Sequence, residues 1–332
     1  MVEQWCLRVP ARDGEAVRQQ LIGEGALDYS LKIQKEGPYL LLPITGPREG
    51  AERCSFGRGA AHHVLPRHEL VGGIAIMQDR DPGGAEQILA SRPSVHTVLC
   101  AASEVAGEYR TRKFEVLGGR PGTRTEVIEY GHRFVVDLSR AYFSARLSSE
   151  RQRILAQTGD HERLLDMFAG VGPFAITLAA RADCVIAADL NPEAIILMIE
   201  NLKKNRIRNV LPVLADAHHL PLLLPEKFDR IVMNLPLSGT DFLKDGFRLC
   251  KTGGMIHFYS LVSAEREHER TITELGGKIV AERVVRSYSP GQYHAVYDII
   301  VQGAARRGDQ KAGTESSAGL PPSHQSGDDQ AG

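Results

Sequence analysis

Residues 164–174 read Leu-Leu-Asp-Met-Phe-Ala-Gly-Val-Gly-Pro-Phe, an apolar run that ends in a carboxylate and a glycine-rich turn. Glycines two positions apart allow a tight turn and a close approach of a ligand to the backbone at a helix start. Four further apolar runs follow at the spacing of strands, and they end at Asp189, Leu214, Asn234 and Tyr259. Segments with helical periodicity separate them. This alternation predicts a parallel sheet with helices on both faces.

The clearest helix of this region begins at Asn191-Pro192-Glu193. Asn is a favoured cap, Pro suits the first helical position, and an acid complements the positive end of the helix dipole. After the fifth apolar run, strand patterns at residues 278–286 and 294–301 are separated by a stretch short enough for a hairpin. The sequence therefore predicts an α/β fold with a Rossmann-like, doubly wound, mostly parallel sheet that ends in an antiparallel hairpin.

The pattern changes toward both ends of the chain. Strand patterns at Trp5–Val9, Tyr29–Ile33 and Tyr39–Pro43, with helical spacing over Gly14–Gly23, predict a small α+β N-terminal domain. The last thirty residues contain no Ile, Val, Met or aromatic side chain and cannot build a core. We expect five regions: a small N-terminal domain (1–45), a linker (46–63), an intermediate RNA-binding region (64–150), a cofactor-binding catalytic domain (151–302) and a disordered tail (303–332).

Composition excludes several classes of protein. The net charge is −1, with 40 Lys and Arg against 41 Asp and Glu, so any nucleic-acid footprint must be local. The longest apolar run, Ala194–Ile199, has six residues, whereas a membrane span requires roughly 20. No signal-peptide pattern begins the sequence, and its five cysteines are scattered without a Cys-x-x-Cys pair. These features favour the reducing cytoplasm and argue against a disulfide framework or a zinc site.

Polar residues mark the carboxyl ends of four predicted strands, where ligands of such sheets bind. They are Asp166, Asp189, Asp216 and the Asn234-Leu-Pro236 turn. Each acid by itself can also be explained as a solvated loop residue or a helix cap, an explanation that is stronger for Asp216 than for Asp189, but four polar ends on successive strands indicate a site.

The glycine turn alone does not identify the ligand, because Gly170–Ala175 also fits the G-x-G-x-x-A fingerprint of dinucleotide-binding proteins. Three features favour S-adenosylmethionine. Asp166 suits the cationic amino group of the methionine part but would repel a pyrophosphate. Asp216 suits the exocyclic amine of adenine, and the Asn234 turn offers an amide and a free carbonyl to the reacting atoms. Asp189 is then placed to bond the ribose diol.

The Asn-x-Pro turn is a shortened form of the Asn/Asp-Pro-Pro-Tyr turn of amino methyltransferases. Its missing aromatic residue argues against an exocyclic amine as acceptor. A ring nitrogen such as guanine N1 carries a proton, so its methylation needs a general base and a positive partner for the neighbouring O6. A locally basic segment lies upstream: residues 107–153 hold ten Lys and Arg but six Asp and Glu.

With this segment included, residues 1–302 resemble the archaeal and eukaryotic type of tRNA (guanine-37-N1)-methyltransferase. The motifs that carry the resemblance are Cys6-Leu-Arg-Val-Pro10, Glu36-Gly-Pro-Tyr-Leu40, Gly107-Glu-Tyr-Arg110, Tyr142-Phe-Ser-Ala-Arg146-Leu with Glu150-Arg151, Asp166-Met-Phe-Ala-Gly-Val-Gly-Pro-Phe174, Met233-Asn-Leu-Pro236 and Arg286-Ser-Tyr-Ser-Pro290 with His294 and Asp298. The resemblance implies a class I methyltransferase fold, S-adenosylmethionine as cofactor, and a monomer that binds the tRNA anticodon loop and, through its N-terminal domain, the tRNA elbow.

The resemblance also implies roles for individual residues. Glu150 would be the general base at N1, Arg110 would stabilise O6, and Asn234 would orient the guanine. The implied cofactor-binding residues are Tyr142, Arg146, Asp166, Phe168, Gly170, Gly172, Asp189, Leu190, Asp216, Ala217 and Asn234. The implied substrate-binding residues are Arg110, Arg112, Lys113, Arg146 and Pro236. One departure is Ala145, where relatives usually have Pro.

Three alternatives remain open. The same scaffold carries transfer of the 3-amino-3-carboxypropyl group in wybutosine-type biosynthesis, although Pro236 favours methyl transfer. Some relatives further methylate a tricyclic guanosine, and a non-catalytic RNA-binding protein would keep the same fold. Neither the adjacent pair His218-His219 nor His62-His63 offers a third metal ligand nearby, so we expect loop histidines and no metal site.

Overall fold

The computed structural model describes residues 2–57, 65–103, 107 and 109–303. The chain divides into two compact units. The first unit comprises Met1–Arg151, Gly170–Ile176 and Asn191–Arg208, and the second comprises Gln152–Ala169, Thr177–Leu190 and Asn209–Gly332. Among the described residues no helix combines the length and hydropathy needed to cross a lipid bilayer.

The N-terminal sheet of the first unit has four antiparallel strands in the order β2-β3-β1-β4. Its elements are β1 (Val2–Pro10), α1 (Gly14–Gly23), β2 (Gln34–Glu36), β3 (Tyr39–Pro43) and β4 (Ala51–Phe56). The predictions of α1 and β3 are confirmed to the residue. The strand predicted at Tyr29–Ile33 is wrong, because Tyr29 and Ser30 form a turn, Leu31 makes only a single bridge, and the strand beside β3 is β2.

The structure corrects the expected linker at residues 46–63. Ala51–Phe56 is a strand that pairs with β1, and of its residues only Phe56 is fully buried. An edge strand with one solvated face needs few apolar residues, so its composition reads as a linker. Residues 58–63, including the His62-His63 pair, lie outside the described residues, as does the expected tail from residue 304 onward.

Cys6 and Cys54 form a disulfide, so the expectation of reduced cysteines is wrong for this pair. Cys6 faces Glu52 in the β1–β4 register and Cys54 faces Gln4, which makes the two cysteines diagonal neighbours with Cα atoms 6.1 Å apart. A spacing of 48 residues gives no local signal for such a pair. A Glu52 carboxylate oxygen lies within 4.8 Å of both sulfurs, but sulfurs bonded to each other are not the thiolate ligands that metals bind.

The remainder of the first unit holds a second four-stranded sheet, in the order β5-β6-β7-β8, and the hairpin β9–β10. The elements are β5 (His68–Val71), β6 (Ile74–Met77), α2 (Pro82–Ser91), β7 (Thr97–Ala101), β8 (Phe114–Gly119), β9 (Arg124–Glu129), β10 (His132–Asp137), a 3-10 turn (Ala145–Leu147), α3 (Ser148–Gln157), α4 (Pro173–Leu178) and α5 (Pro192–Asn205). The division between the two units falls inside α3, after Arg151, and inside α4, after Ile176. The start of α5 is as predicted: Asn191 caps it by accepting a hydrogen bond from the Glu193 amide at 3.0 Å.

The second unit contains a seven-stranded sheet in the order β13-β12-β11-β14-β15-β17-β16. Its elements are β11 (Glu162–Asp166), β12 (Ala182–Asp189), β13 (Val210–Leu214), a 3-10 turn (Ala217–His219), α6 (Leu220–Leu223), β14 (Phe228–Met233), a 3-10 turn (Gly239–Phe242), α7 (Leu243–Leu249), β15 (Cys250–Val262), α8 (Glu269–Glu274), β16 (Gly277–Ser289) and β17 (Gln292–Val301). The five strands β11–β15 pair in parallel and β17 runs antiparallel to both neighbours.

This sheet confirms the predicted mostly parallel order with a closing hairpin. The hairpin is longer than predicted, because β16 continues to Ser289 and the turn is only Pro290-Gly291. The two outermost strands of the sheet are interrupted: Pro212 lies in the middle of β13, and the pairing of β16 with β17 shifts register at three places. Apolar side chains of the central strands, such as Leu165, Ile231 and Ile256, are fully buried in one core.

Candidate active site

The carboxyl ends of the parallel strands place the predicted polar residues of the second unit along one edge of its sheet. Asp166 is in register with Ala187 of β12 and with Val232 of β14, and Asp189 is in register with Leu214 of β13. Each strand therefore ends within a few residues of its neighbour. The edge gathers Asp166, Phe168, Asp189, Leu190, Asp216, Ala217, Asn234 and Pro236 from four strand ends.

The chain after β11 is fixed by its neighbours on both sides. The Met167 amide donates to the Val232 carbonyl at 3.0 Å, and the Ala169 amide donates to the Ala188 carbonyl at 2.8 Å. Asp166 is buried. A buried carboxylate at a strand end requires donors or positive charge from whatever lies against it, which is the property expected of a group that holds an amino cation.

Asp189 and Asp216 close the neighbouring strands. The backbone carbonyl of Asp189 accepts a hydrogen bond from the Ala215 amide at 3.1 Å, and this bond holds the two loops together. The Asp216 Oδ1 accepts from the His218 amide at 2.9 Å, so this side chain caps the turn at Ala217–His219. Capping and ligand binding are compatible, since a carboxylate has a second oxygen.

His218 has contacts that the sequence did not reveal. Its Nδ1 lies 2.9 Å from Asp245 Oδ2 on α7, and its ring stacks on Phe242 with centroids 4.1 Å apart. Phe242 in turn meets the edge of Phe168 at 5.1 Å. Three aromatic rings thus form a row along the carboxyl edge and tie the loop after β13 to the loops after β11 and β14. The expectation of a loop histidine holds for its position, but the side chain is anchored.

The Asn234-Leu-Pro236 turn leaves an acceptor open. The Pro236 carbonyl accepts from the Leu261 amide at 2.9 Å, which fixes the turn against β15. The Asn234 Oδ1 is buried and has no hydrogen-bond donor among the described residues. Leaving a buried acceptor unsatisfied costs about 1–3 kcal/mol, so this amide oxygen is suited to accept from a bound ligand.

The glycine turn belongs to the first unit. Gly170 and Gly172 have φ of +55° and +87°, the left-handed region that favours glycine. A Cβ on Gly172 would lie 2.8 Å from Met198 Cγ, so a side chain there would also clash. Asn201, which sequence analysis missed, bonds the turn from α5: its Nδ2 donates to the Val171 carbonyl at 3.0 Å.

Asn201 is fully buried and also joins this turn to β10. Its Oδ1 accepts from the Val135 amide at 2.7 Å, and its Nδ2 donates to the Val135 carbonyl at 3.1 Å. A single amide therefore satisfies backbone groups of two segments. The available signal was a polar residue between Met198 and Leu202 on the apolar face of an otherwise amphipathic helix.

The structure brings Arg110 and Tyr142 together within the first unit. The Arg110 guanidinium carbon lies 5.0 Å from the Tyr142 ring centroid, within range of a cation–π interaction. Arg110 has a positive φ of 53°, and its buried Nε has no acceptor among the described residues. Tyr142 keeps 37% of its surface exposed. The guanidinium is thus held over a ring while it retains donors for a ligand.

Other predicted residues of the first unit have protein partners. Arg146 forms an ion pair with Glu69 of β5 at 2.8 Å, and both side chains are partly exposed. The backbone amide of Lys113 donates to Ser103 Oγ at 3.0 Å, and its side chain is exposed, whereas Arg112 is half-buried. Arg146 must exchange or share its carboxylate partner to contact a ligand.

Glu150 lies in the first turn of α3 and is buried. The next residue, Arg151, is also buried and forms a bidentate ion pair with Glu129 of β9, with N–O distances of 2.7–2.9 Å. Arg151 Nη2 also donates to the Ser144 carbonyl at 3.2 Å. This arginine fixes the start of α3 to β9 and to the loop that carries Tyr142.

A separate group of charged side chains is buried inside the second unit. The Asp298 carboxylate accepts from His257 Nδ1 at 2.7 Å and from Arg153 Nη1 at 2.6 Å. His257 Nε2 lies 2.7 Å from Arg230 Nη1, which can only donate, so His257 is the neutral tautomer with its proton on Nδ1. Arg230 completes the group through Glu162, at 2.7 Å.

The pKa values of this group follow from burial and hydrogen bonding. Burial lowers the pKa of His257, and the adjacent Arg230 acts in the same direction, which keeps the ring neutral. Burial alone would raise the pKa of Asp298, but the hydrogen bonds from His257 and Arg153 outweigh it and hold that pKa well below its ordinary value. These polar groups satisfy one another and point to a structural role.

The glycine turn is compatible with S-adenosylmethionine and with a dinucleotide, and comparison with known proteins decides for S-adenosylmethionine. Residues 125–285 match the TRM5/TYW2 methyltransferase domain, and residues 6–52 match the tRNA methyltransferase 5 N-terminal domain. A Pyrococcus abyssi relative named tRNA (guanine(37)-N(1))-methyltransferase Trm5b is 36% identical over 329 residues, which cover 89% of this chain and 98% of the relative. The chain belongs to the TRM5/TYW2 methyltransferase family.

Two further similarities show the breadth of the TRM5/TYW2 family. A solved complex described as aTrm5 and tRNALeu has a TM-score of 0.66 at 29% identity, and the match covers 89% of this chain and 98% of that one. A Methanocaldococcus jannaschii tRNA(Phe) (4-demethylwyosine(37)-C(7)) aminocarboxypropyltransferase is 30% identical over 243 residues, covering 70% of this chain and 96% of the relative. The family therefore includes both group-transfer chemistries weighed from the sequence.

Proposed function

We propose that the protein transfers the methyl group of S-adenosylmethionine to N1 of guanine 37 in tRNA. The observation that carries this proposal is the buried, open Oδ1 of Asn234 at the carboxyl edge of a TRM5/TYW2 methyltransferase sheet. The edge of guanine that bears N1 presents N–H donors beside the O6 acceptor. An amide oxygen complements the donors, and a guanidinium complements O6.

The residues at the edge suit S-adenosylmethionine, the cofactor of this methyltransferase family. Asp166 would hold its amino cation, Asp189 its ribose hydroxyls, and Asp216 with the Ala217 backbone its adenine edge. Phe168 and Leu190 offer apolar surface, and Gly170 with Gly172 lets the backbone approach. When bound, S-adenosylmethionine supplies an electrophilic methyl group on a sulfonium sulfur.

The protein side chains supply the proton and charge chemistry of the proposed reaction. Glu150 would accept the N1 proton, which frees the lone pair that attacks the methyl carbon. Arg110, held by Tyr142, would donate to O6 as negative charge develops there. Arg112 and Lys113 would contact the RNA, Tyr142 and Arg146 would line the cofactor and base pocket, and the Pro236 turn would hold the guanine against Asn234.

Glu150→Gln is the direct test of this assignment. Glutamine keeps the shape and can still form hydrogen bonds, but it cannot accept the proton, so the single-turnover methylation rate should fall about 10²–10⁴-fold. Affinities for tRNA and for S-adenosylhomocysteine should change little. Glu193→Gln, in the first turn of α5, is a matched control and should keep the wild-type rate.

Nucleoside mass spectrometry identifies the product of the same assay on a tRNA transcript with guanine at position 37. The proposal requires N1-methylguanosine. An aminocarboxypropyl adduct would contradict the assigned reaction. A near wild-type rate for Glu150→Gln would contradict the assigned base. Pro236 is the residue that favours methyl transfer over the aminocarboxypropyl alternative.

We also propose that the N-terminal sheet binds the tRNA elbow, because residues 6–52 match the family's N-terminal domain. Removal of residues 2–57 should weaken the binding of full-length tRNA and leave the binding of an anticodon stem-loop unchanged. Equal weakening of both RNAs would contradict the elbow assignment.

A further inference from the structure

The hairpin of β16 and β17 extends along the carboxyl edge of the second unit's sheet. Val262, the last residue of β15, pairs with Tyr293, and β16 continues from there to Ser289. The hairpin tip is therefore on the same edge as the ends of β11 and β14. The Arg286-Ser-Tyr-Ser-Pro290 motif lies at this tip, and the proposed reaction gives it no role.

Hydrogen-bonded neighbours connect the tip to the Asn234 turn in three steps. The Pro236 carbonyl accepts from Leu261, Leu261 pairs with His294, and His294 pairs with Arg286. Adjacent strands are about 4.8 Å apart, so Arg286 lies roughly 14 Å from Pro236 along this row. This is a distance over which nucleotides next to a bound guanine could reach the hairpin.

Aromatic side chains are exposed at the tip. Tyr288 is 54% exposed and Tyr293 is 39% exposed, one on each strand beside the turn. Large aromatic side chains stabilise a fold mainly by burial, so two exposed rings flanking one turn contribute little to it. Exposed aromatic faces are the surfaces on which unpaired nucleobases stack.

Two arginines of the hairpin have no carboxylate partner among the described residues. Residues 283–297 contain Arg283 and Arg286 and no Asp or Glu. Within the described residues neither guanidinium has a carboxylate partner, and the buried Nε of Arg286 has no acceptor. Other arginines of this unit do have carboxylate partners: Arg163, Arg248, Arg266 and Arg270.

We propose that the tip of the β16–β17 hairpin binds the single-stranded nucleotides that flank the target guanine in the anticodon loop. Tyr288 and Tyr293 stack on unpaired bases, and Arg283 and Arg286 contact phosphates. The assignment rests on the proposed function for the identity of the RNA. Unpaired arginines on an edge strand also oppose strand addition, but that role does not call for two exposed tyrosines.

The test measures binding of a 5′-labelled anticodon stem-loop by the full chain with S-adenosylhomocysteine present. Tyr288→Ala and Tyr293→Ala should each weaken stem-loop binding roughly 5- to 100-fold, in line with the loss of one stacked base. Tyr288→Phe should restore most of the affinity, because the ring and not the hydroxyl stacks. Binding of a blunt RNA duplex of the same length should not change, because its bases stay paired.

The arginines are tested through the salt dependence of the same binding. Arg283→Ala and Arg286→Ala should each reduce the slope of log affinity against log salt by about 0.7, the value for one phosphate contact on a single strand. Lys278→Ala is the matched control, because Lys278 is an exposed cation near the start of the same strand, at the end away from the hairpin turn. It should leave the affinity and the slope unchanged.

The outcomes separate this proposal from the proposed function. The hairpin assignment alone is overturned if the tyrosine and arginine variants keep the wild-type stem-loop affinity while the wild type still makes N1-methylguanosine. Failure of the wild type to form N1-methylguanosine on an RNA that it binds overturns the proposed function, and the variants still report on the hairpin. Equal loss of stem-loop and duplex binding in Tyr288→Ala overturns stacking on unpaired bases. Calorimetry with S-adenosylhomocysteine verifies that each variant is folded.

Discussion

The buried charge network and the carboxyl edge of the second unit both contain polar residues, and β11 and β14 contribute to each of them, yet their polar atoms are satisfied differently. In the network, Asp298, His257 and Arg230 form hydrogen bonds with one another and with side chains of the same unit. At the edge, the buried Asn234 Oδ1 has no donor among the described residues. What separates the buried network from the Asn234 amide is hydrogen-bond satisfaction, since both are buried and polar.

The largest expected effect is on the network. Asp298→Ala removes the buried carboxylate that accepts hydrogen bonds from Arg153 and from His257. Breaking a buried ion pair by removing one partner costs about 3–5 kcal/mol, so the free energy of unfolding in denaturant should fall by that amount. The S-adenosylhomocysteine affinity of the folded variant should be unchanged. A loss of unfolding free energy below about 1 kcal/mol would contradict a structural role for the network.

The network should also make stability depend on pH on the acid side. The pKa of His257 is lowered in the folded state, so below its ordinary value of 6.5 the unfolded chain takes up a proton that the folded chain excludes. His268, whose pKa burial also lowers, acts in the same direction. The pKa of Asp298 is also lowered in the folded state, which adds a second decline below its ordinary value of 3.8.

Urea unfolding between pH 4 and pH 8 measures the first of these declines. The free energy of unfolding should decrease as the pH falls below about 6.5, and His257→Gln should reduce this dependence. Stability that stays flat from pH 7 to pH 5 would contradict a neutral His257 in the folded protein.

At the edge, binding should change while stability does not. Asp189→Ala removes a proposed charged hydrogen bond to the cofactor, worth about 1.5–3 kcal/mol, so S-adenosylhomocysteine affinity should fall by roughly tenfold or more. Its melting temperature should stay near the wild-type value. Asp183→Ala, at the opposite end of the same strand, is the control: it removes an exposed contact with His161 and should leave the affinity unchanged and the melting temperature near the wild-type value. Calorimetry and thermal unfolding are the two measurements.

The smallest effect is expected for His218, which holds its loop without being assigned a cofactor contact. His218→Ala removes the contacts with Asp245 and Phe242, together worth about 1 kcal/mol, so S-adenosylhomocysteine affinity should fall severalfold. For its neighbour His219 the described structure shows no side-chain partner, so His219→Ala is a matched control that should bind normally. Equal behaviour of the two variants would show that the aromatic row does not support the cofactor loop.

Features with a local signal were predictable from the sequence. Asn191 and Pro192 mark the start of α5, the period of apolar residues marks the parallel strands, and Gly170 with Gly172 marks a turn that requires positive φ. The position of Asp189 at a strand end followed from the same pattern. In each case neighbours in sequence determine the conformation.

Features that depend on distant partners were not predictable. The strand β4 has few apolar residues because only one of its faces packs, and Cys6 meets Cys54 only through the β1–β4 register. The contact of His218 with Asp245 joins residues 27 positions apart, and that of Asn201 with Val135 joins residues 66 positions apart. Their partners are set by the three-dimensional packing, for which a single sequence holds no direct signal.

The interruptions in the two outermost strands of the seven-stranded sheet, β13 and β16, affect how the protein behaves at high concentration. Pro212 removes one backbone donor from β13, and three register shifts break the row of backbone groups along β16. An uninterrupted row of unpaired backbone N–H and C=O groups on an outermost strand is a template for pairing with another chain, and prolines and β-bulges prevent that pairing. Crowded samples, or chains emerging in quick succession from neighbouring ribosomes, should therefore resist fibril-like association through this sheet.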